Sequence, residues 1–209
     1  DWGMPIAQII TYLENEQIKV DTLEPNQLEV IYPKASKEYK ENKKFKTRAQ
    51  EVNKLLNNND ESLLKIWTSI KNISVTSIEE NFKILGHKFD YWLGESDVNN
   101  LIPRMIEDLL KNKKITDDSG ALISVEETDP KILITKSDGS YLYITTDLAT
   151  ILYRQENIGY DEILYIVDNR QALHFKQLFS SIKFFEFNNF DHKHVSYGTL
   201  NDSEGNPFK

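Results

Sequence analysis

Ser137-Asp-Gly-Ser-Tyr-Leu-Tyr-Ile-Thr-Thr-Asp-Leu-Ala149, then Arg154 and Glu156, the apolar run Ile163-Leu-Tyr-Ile-Val167, and Asp168-Asn-Arg-Gln-Ala-Leu-His174 form the stretch that decides the fold. Asp138-Gly139 is a turn signal that leads into a short aromatic strand, Tyr141–Tyr143. Thr145 and Thr146 are residues that favour helix starts, and the amphipathic run after them extends to about Glu156. Ile163–Val167 is a continuous β-branched and aromatic run, which suits a buried parallel strand. Polar residues follow at once and open another helix. The order is strand, helix, strand, helix. Such α/β units place ligands at the carboxyl ends of the strands.

The totals narrow the class. With 209 residues the chain can bury a sizeable core in one or two domains, and its 39% hydrophobic and 28% charged content is that of a globular protein. No apolar run approaches a membrane span in length, so no membrane partner is expected. There is no cysteine, which excludes disulfide frameworks and thiolate metal sites. A cytoplasmic location is compatible with that and is the expectation. The formal net charge of −8 argues against a dedicated nucleic-acid module, which carries a basic excess; DNA is not an expected partner. The dense basic cluster Lys34, Lys37, Lys40, Lys43, Lys44, Lys46 and Arg48 is interrupted by Glu38, Glu41 and Glu51. It reads as a solvated helix of alternating charge.

Along the chain, Pro5 suits a helix's first turn, and Ile6, Ile9, Ile10 and Leu13 form a packing face. Phe45, Ala49, Val52, Leu55 and Leu56 have the three-and-four spacing of one helical stripe, which Asn57–Asp60 breaks. A second stripe runs from Leu63 to Ile70, within a helix expected over Glu61–Asn72. Thr76 or Ser77 with Glu79 and Glu80 resembles a fresh helix start, and Ile84–Phe89 a strand. Val98–Lys113 is helical in pattern. Strands flank the turn Asp117-Asp-Ser-Gly120, and Lys131–Thr135 is a further strand.

Tyr143 and Asp147 lie four residues apart and would share a helix face. A carboxylate there can pair with a planar guanidinium through two hydrogen bonds, and a tyrosine beside it offers a hydroxyl and a ring face for a cation. An acid near a helix N-terminus also needs no ligand to be favourable. His192 and His194 alternate as on a strand, but two histidines without a third ligand make a poor zinc site, so no metal site is expected. No Gly-rich loop ending in Gly-Lys-Ser/Thr occurs, which argues against a P-loop nucleotidase.

Tyr141-Leu-Tyr-x-Thr-Thr-Asp-Leu-Ala149, Tyr153-Arg154 and Val167-Asp-x-Arg-Gln-x-Leu-His174 together resemble the catalytic domain of the arginyl-tRNA synthetases. His194-Val-Ser-Tyr-Gly198 and Gly205-Asn-Pro-Phe-Lys209 resemble the family's second signature. Asp1-Trp-Gly3 and Phe89-Asp-Tyr-Trp-Leu-Gly-Glu-Ser96 resemble two further elements. The resemblance covers the whole chain, patchily at first and densely after Phe82. It implies an α/β fold: a Rossmann-like nucleotide-binding core with a parallel sheet, interrupted by a helical insertion and a smaller α/β insertion. The core is expected at about 1–10, 62–96 and 141–209, with the helical insertion at 11–61 and the second at 97–140. Gly94, Glu95 and Ser96 need only a structural role.

The implied activity is ATP-dependent ligation of L-arginine to tRNA(Arg) through arginyl-adenylate, with Mg²⁺ entering as the ATP complex. In the family the first step generally requires bound tRNA. The resemblance assigns Tyr143, Asp147 and Gln171 to arginine, and His174, Gly198 and Lys209 to ATP. Lys209 is also the catalytic lysine, supplying positive charge where pyrophosphate leaves. A monomer is expected. The chain starts after the family's His-x-Gly-His signature and stops at the lysine of the second, so the 209-residue chain alone is expected to be inactive. Two alternatives stay open: a non-catalytic arginine- or tRNA-binding paralogue, and a related synthetase for another amino acid. Asp147 argues against the latter, because only a cationic side chain rewards a buried carboxylate there.

Overall fold

Helix starts and stops written into the sequence set the architecture of the first ninety or so residues. The computed structural model describes residues 1–125, 131–187 and 190–206 and divides into two compact units, Asp1–Ser96 and Asp97–Lys209. The first holds four helices, α1 (Met4–Asn15), α2 (Pro25–Glu41), α3 (Lys43–Asn57) and α4 (Glu61–Ile84). Pro5 and Pro25 occupy first turns, where a missing N–H costs nothing. Asn42 and Asp60 cap α3 and α4, each side chain accepting two backbone N–H groups. The apolar stripes meet in a core that includes Ile10, Leu13, Val52, Leu56 and Ile70, all at most 3% exposed. Each such aliphatic side chain contributes about 1.5–3 kcal/mol by leaving water.

The helical hairpin expected around the basic cluster is α2 and α3. Its charges are partly paired: Arg48 binds Glu14 and Glu51, Lys37 lies 4.0 Å from Glu41, and Lys46 sits over the Tyr39 ring.

Two expectations in this unit fail. No new helix starts at Thr76 or Ser77, because α4 runs unbroken to Ile84. Ser74, in the polar run leading there, turns its hydroxyl back onto the Ile70 carbonyl at 2.9 Å, so it serves the helix instead of capping another. Nor is Ile84–Phe89 a strand. Gly86, at φ +72°, ends α4: its N–H reaches the Lys83 carbonyl, and the His87 N–H reaches that of Phe82.

The unit also ties Asp1 to Gly94 and Ser96. The Asp1 carboxylate accepts from Ser96 Oγ at 2.6 Å and lies 3.0 Å from Lys71 Nζ. A Cβ at Gly94 would come within 2.6 Å of that carboxylate, so the close approach requires glycine.

In the second unit a short helix, α5 (Ile102–Lys111), precedes the hairpin β1 (Ile115–Asp118) and β2 (Ala121–Ser124). Ser119 and Gly120 both have positive φ, as a two-residue hairpin turn of matching twist requires. β3 (Leu133–Thr135) completes an antiparallel three-stranded sheet. The aromatic strand expected at Tyr141–Tyr143 shrinks to one bridge, Thr135 to Tyr141. Tyr143 is already the first residue of α6 (Tyr143–Asn157). Thr145 does not cap that helix. It is fully buried and its hydroxyl donates to the Ile134 carbonyl at 2.6 Å, pinning α6 to β3.

Then come β4 (Glu162–Asp168), α7 (Ala172–Phe185) and β5 (Asp191–Tyr197), with β4 and β5 parallel and in register from Glu162–Asp191 to Asp168–Tyr197. This is the expected α/β fold with a parallel pair and a Rossmann-like core. The core packs Ile102, Met105, Ile134, Leu148, Ile151, Leu178 and Ile182. β4 is parallel as expected but buried on one face only. Ile163, Tyr165 and Val167 are partly covered, and Tyr165 meets Phe175 and Phe179, whereas Leu164 and Ile166 are exposed. Among the described residues the parallel sheet has two strands and no second layer.

Candidate active site

Three chain elements converge where β4 and β5 end, and each follows from local sequence. Asp168 closes β4 and accepts the Arg170 N–H at 2.8 Å, which folds Asn169–Gln171 into a tight turn feeding α7. The same carboxylate accepts Arg170 Nε–H at 3.0 Å and the Thr199 hydroxyl at 3.0 Å. These hydrogen bonds, that of the Arg170 side chain first, hold the Asp168 carboxyl below the usual carboxylate range. One side chain thus binds the end of β4 to the segment just after β5. Sequence reasoning passed over it, although an acid directly after an apolar strand and before a polar turn is a recognisable signal.

Gln171 stands at the cap position of α7 and is exposed, and His174 lies three residues on, in the first turn. On α6, Tyr143 is the first residue and is 76% exposed; Asp147 follows one turn later on the same face, as the spacing predicts. A hydrogen bond joins the two helix starts: His174 Nε2–H donates to Asp147 Oδ2 at 2.6 Å, with side-chain exposures of 27% and 39%. The carboxylate is therefore open to solvent at one edge and hemmed in by protein elsewhere. Burial pushes its pKa up, while the hydrogen bond and charge of His174, and the charge of Arg154, pull it down; burial prevails.

Beneath this pair, the Arg154 guanidinium lies 5.8 Å from the Tyr165 ring centroid. The Tyr165 hydroxyl is buried beside Arg154, and burial, which outweighs the opposing pull of that guanidinium, pushes its pKa up to about 12. Sequence reasoning gave Tyr165 only a place in the strand, because nothing in a strand pattern marks a buried hydroxyl beside an arginine of the preceding helix.

His192 and His194 share a face of β5, and each bonds a backbone carbonyl through one ring nitrogen. His192 Nδ1–H donates to the Phe190 carbonyl at 3.0 Å, and His194 Nε2–H to that of Val167 at 3.0 Å. Burial lowers the His192 pKa. Gly198 directly follows β5 and is exposed, and a Cβ there would meet nothing within 4 Å, so its surroundings are open. Beyond it, Asp202 Oδ1 accepts the N–H groups of Glu204 and Asn206 and shapes a turn. Lys209 lies outside the described residues.

The arrangement brings Asp147 and His174 into contact, with Tyr143 and Gln171 on the same two helix starts. His174, expected beside ATP, is bonded to the residue expected to read arginine. Chemically, a partly buried carboxylate beside an open aromatic ring suits a planar cation, and the open glycine after β5 suits close backbone approach by a ligand.

Comparison with known proteins bears on this geometry. The sequence model of the family described as tRNA synthetases class I (R), catalytic domain, matches residues 1–209. Over 220 residues the chain is 34% identical to the arginine–tRNA ligase of Pseudomonas aeruginosa (strain LESB58), covering all of this chain and 37% of that protein. It is 36% identical over 227 residues to that of Francisella tularensis subsp. novicida, covering all of this chain and 39% of the relative. The chain thus spans less than two fifths of the curated relatives it matches. The crystal structure of arginyl-tRNA synthetase from Plasmodium falciparum superposes with a TM-score of 0.78 at 25% identity, over 95% of this chain and 34% of that one. The arginyl-tRNA synthetase of Thermus thermophilus shares the fold, with a TM-score of 0.66 at 16% identity, over 97% of this chain and 41% of that one.

Proposed function

We propose, for a chain that belongs to the catalytic-domain family of the class I (R) tRNA synthetases, that the full-length protein ligates L-arginine to tRNA(Arg) with ATP and Mg²⁺. The observation that carries the reading is the Asp147 carboxylate, bonded at 2.6 Å to His174 and one turn beyond the exposed Tyr143. A guanidinium can take two of its acceptor positions in a planar pair while the tyrosine ring covers a face of the cation. Gln171, at the start of α7, helps hold the amino acid.

In the first step a carboxylate oxygen of arginine attacks the α-phosphorus of ATP. A carboxyl–phosphate bond forms, the bond to the bridging oxygen breaks, and pyrophosphate leaves. In the second, the 3′-terminal adenosine of the tRNA takes the arginyl group and AMP departs. The protein's part is positioning and stabilisation of developing charge, with no covalent enzyme intermediate. Gly198 lets the backbone approach the adenosine, and Lys209 stabilises the departing phosphates. Mg²⁺ accompanies ATP as the substrate complex.

Charging of tRNA(Arg) with labelled arginine by the full-length protein tests the reading. Arginyl-tRNA that forms only with ATP and Mg²⁺ supports it. A folded full-length protein that binds arginine yet charges no tRNA would establish the non-catalytic binding paralogue instead.

A further inference from the structure

A hydrogen bond from His174 to Asp147 joins the starts of α6 and α7 in the candidate site. Asp147 lies on α6 with its side chain 39% exposed, and a carboxylate at such an edge has freedom to rotate. His174 removes that freedom through its 2.6 Å hydrogen bond to Oδ2. The imidazole is itself anchored. It sits edge-on to Phe175 at 5.4 Å, and Phe175 and Leu178 fix α7 in the core at 6% and 0% exposure. A carboxylate offers about four acceptor positions, so a bond to His174 leaves the two that a guanidinium fork requires. An imidazole also donates an N–H without carrying a permanent positive charge, whereas a lysine or arginine in its place would neutralise Asp147 and repel a cationic ligand.

We propose that His174 is a positioning residue for arginine recognition: it orients the Asp147 carboxylate and registers the start of α7, with Gln171, against the start of α6, with Tyr143. The inference rests on the arginine-ligating reading above. It moves His174 from the ATP side, where sequence resemblance had put it, to the amino-acid side. It also makes the residue a determinant of specificity. A planar guanidinium needs an oriented carboxylate for its paired bonds, while a lysine ammonium is a point charge indifferent to that orientation. Loss of His174 therefore costs arginine more than lysine.

The test is arginine-dependent ATP–pyrophosphate exchange by the full-length protein with tRNA(Arg), comparing wild type with His174→Ala, His174→Leu and His174→Gln. Leucine keeps bulk without the N–H, and glutamine restores an N–H near the position of Nε2. Expected for the alanine and leucine variants is a rise in KM for arginine of about tenfold, the worth of one charge-assisted hydrogen bond. KM for ATP stays unchanged, the preference for arginine over lysine narrows, and the glutamine variant restores most of the loss. An unchanged KM for arginine in both variants overturns the proposal. So does a rise in KM for ATP in its place, or an equal loss in the glutamine variant. Equal damage to both KM values together with a lowered Tm would make His174 a general structural residue and also overturns it. If wild type itself shows no arginine-dependent exchange, the ligation reading falls, which is distinguishable from an active wild type whose variants are unaffected.

Discussion

Asp147→Asn is the perturbation whose size the geometry sets most directly. The substitution keeps shape and one acceptor oxygen but removes the charge that a guanidinium would face. Two unit charges 4 Å apart attract by about 4 kcal/mol at an effective dielectric of 20 and by about 1 kcal/mol in bulk water. With 39% of the side chain open to solvent, the pair belongs between those limits, at roughly 2–3 kcal/mol. The expected loss in kcat/KM for arginine is therefore roughly 30- to 150-fold, most of it in KM, because the guanidinium is bound in ground and transition states alike. Steady-state exchange at saturating ATP and tRNA measures it. The sign with pH is also fixed. Burial raises the Asp147 pKa, so the carboxylate loses its charge, and arginine its partner, at a higher pH than an ordinary aspartate would. KM for arginine climbs on that acid limb in wild type and stays flat in Asp147→Asn. For stability the linkage runs the other way. A raised folded-state pKa favours the protonated form, a contribution present at low pH and lost as pH rises through that pKa. At neutral pH Asp147→Asn accordingly leaves Tm unchanged or raises it. A variant with wild-type KM for arginine, or one whose KM rises only in step with a lower Tm, would rule out a charge partnership between Asp147 and the guanidinium.

Other consequences follow from single residues. Asp168→Ala cuts the tie between the end of β4 and Thr199, so KM for arginine and KM for ATP should rise together; a change in neither would show that the tie is idle. Thr145→Val deletes the buried 2.6 Å bond to Ile134 and should cost about 1–3 kcal/mol of stability, read from urea denaturation, with an effect under about 0.5 kcal/mol counting against the pinning of α6 to β3. Lys209→Ala should lower kcat for exchange about a hundredfold with little change in either KM, and an equal rise in KM for ATP would make the lysine a binding group only.

The α/β order and the shared helix face of Tyr143 and Asp147 were legible because they rest on local rules. The apolar run Ile163–Val167, the four-residue spacing of Tyr143 and Asp147, and the turn at Asp117–Gly120 each fix geometry within a few residues. The failures arose where one residue served two rules. Thr145 has the chemistry of a helix cap but spends its hydroxyl on a carbonyl eleven residues earlier in the chain. Thr76 and Ser77 have the chemistry of a helix cap but fall inside the unbroken α4. Leu164 and Ile166 suit a strand buried on both faces, but burial depends on what covers the sheet, which no strand pattern encodes. The Asp147–His174 bond joins residues 27 positions apart. From sequence alone each could be read on its own helix, but not as partners.

On the proposed reading, Asp147 selects arginine by its charge. ATP–pyrophosphate exchange by the full-length protein with tRNA(Arg), offered arginine, lysine and citrulline in parallel, tests it most directly, because citrulline keeps the shape of arginine and loses the charge. Expected is exchange with arginine, far weaker exchange with lysine and none with citrulline. Exchange with citrulline comparable to that with arginine, or none with any of the three from a folded protein, would contradict it.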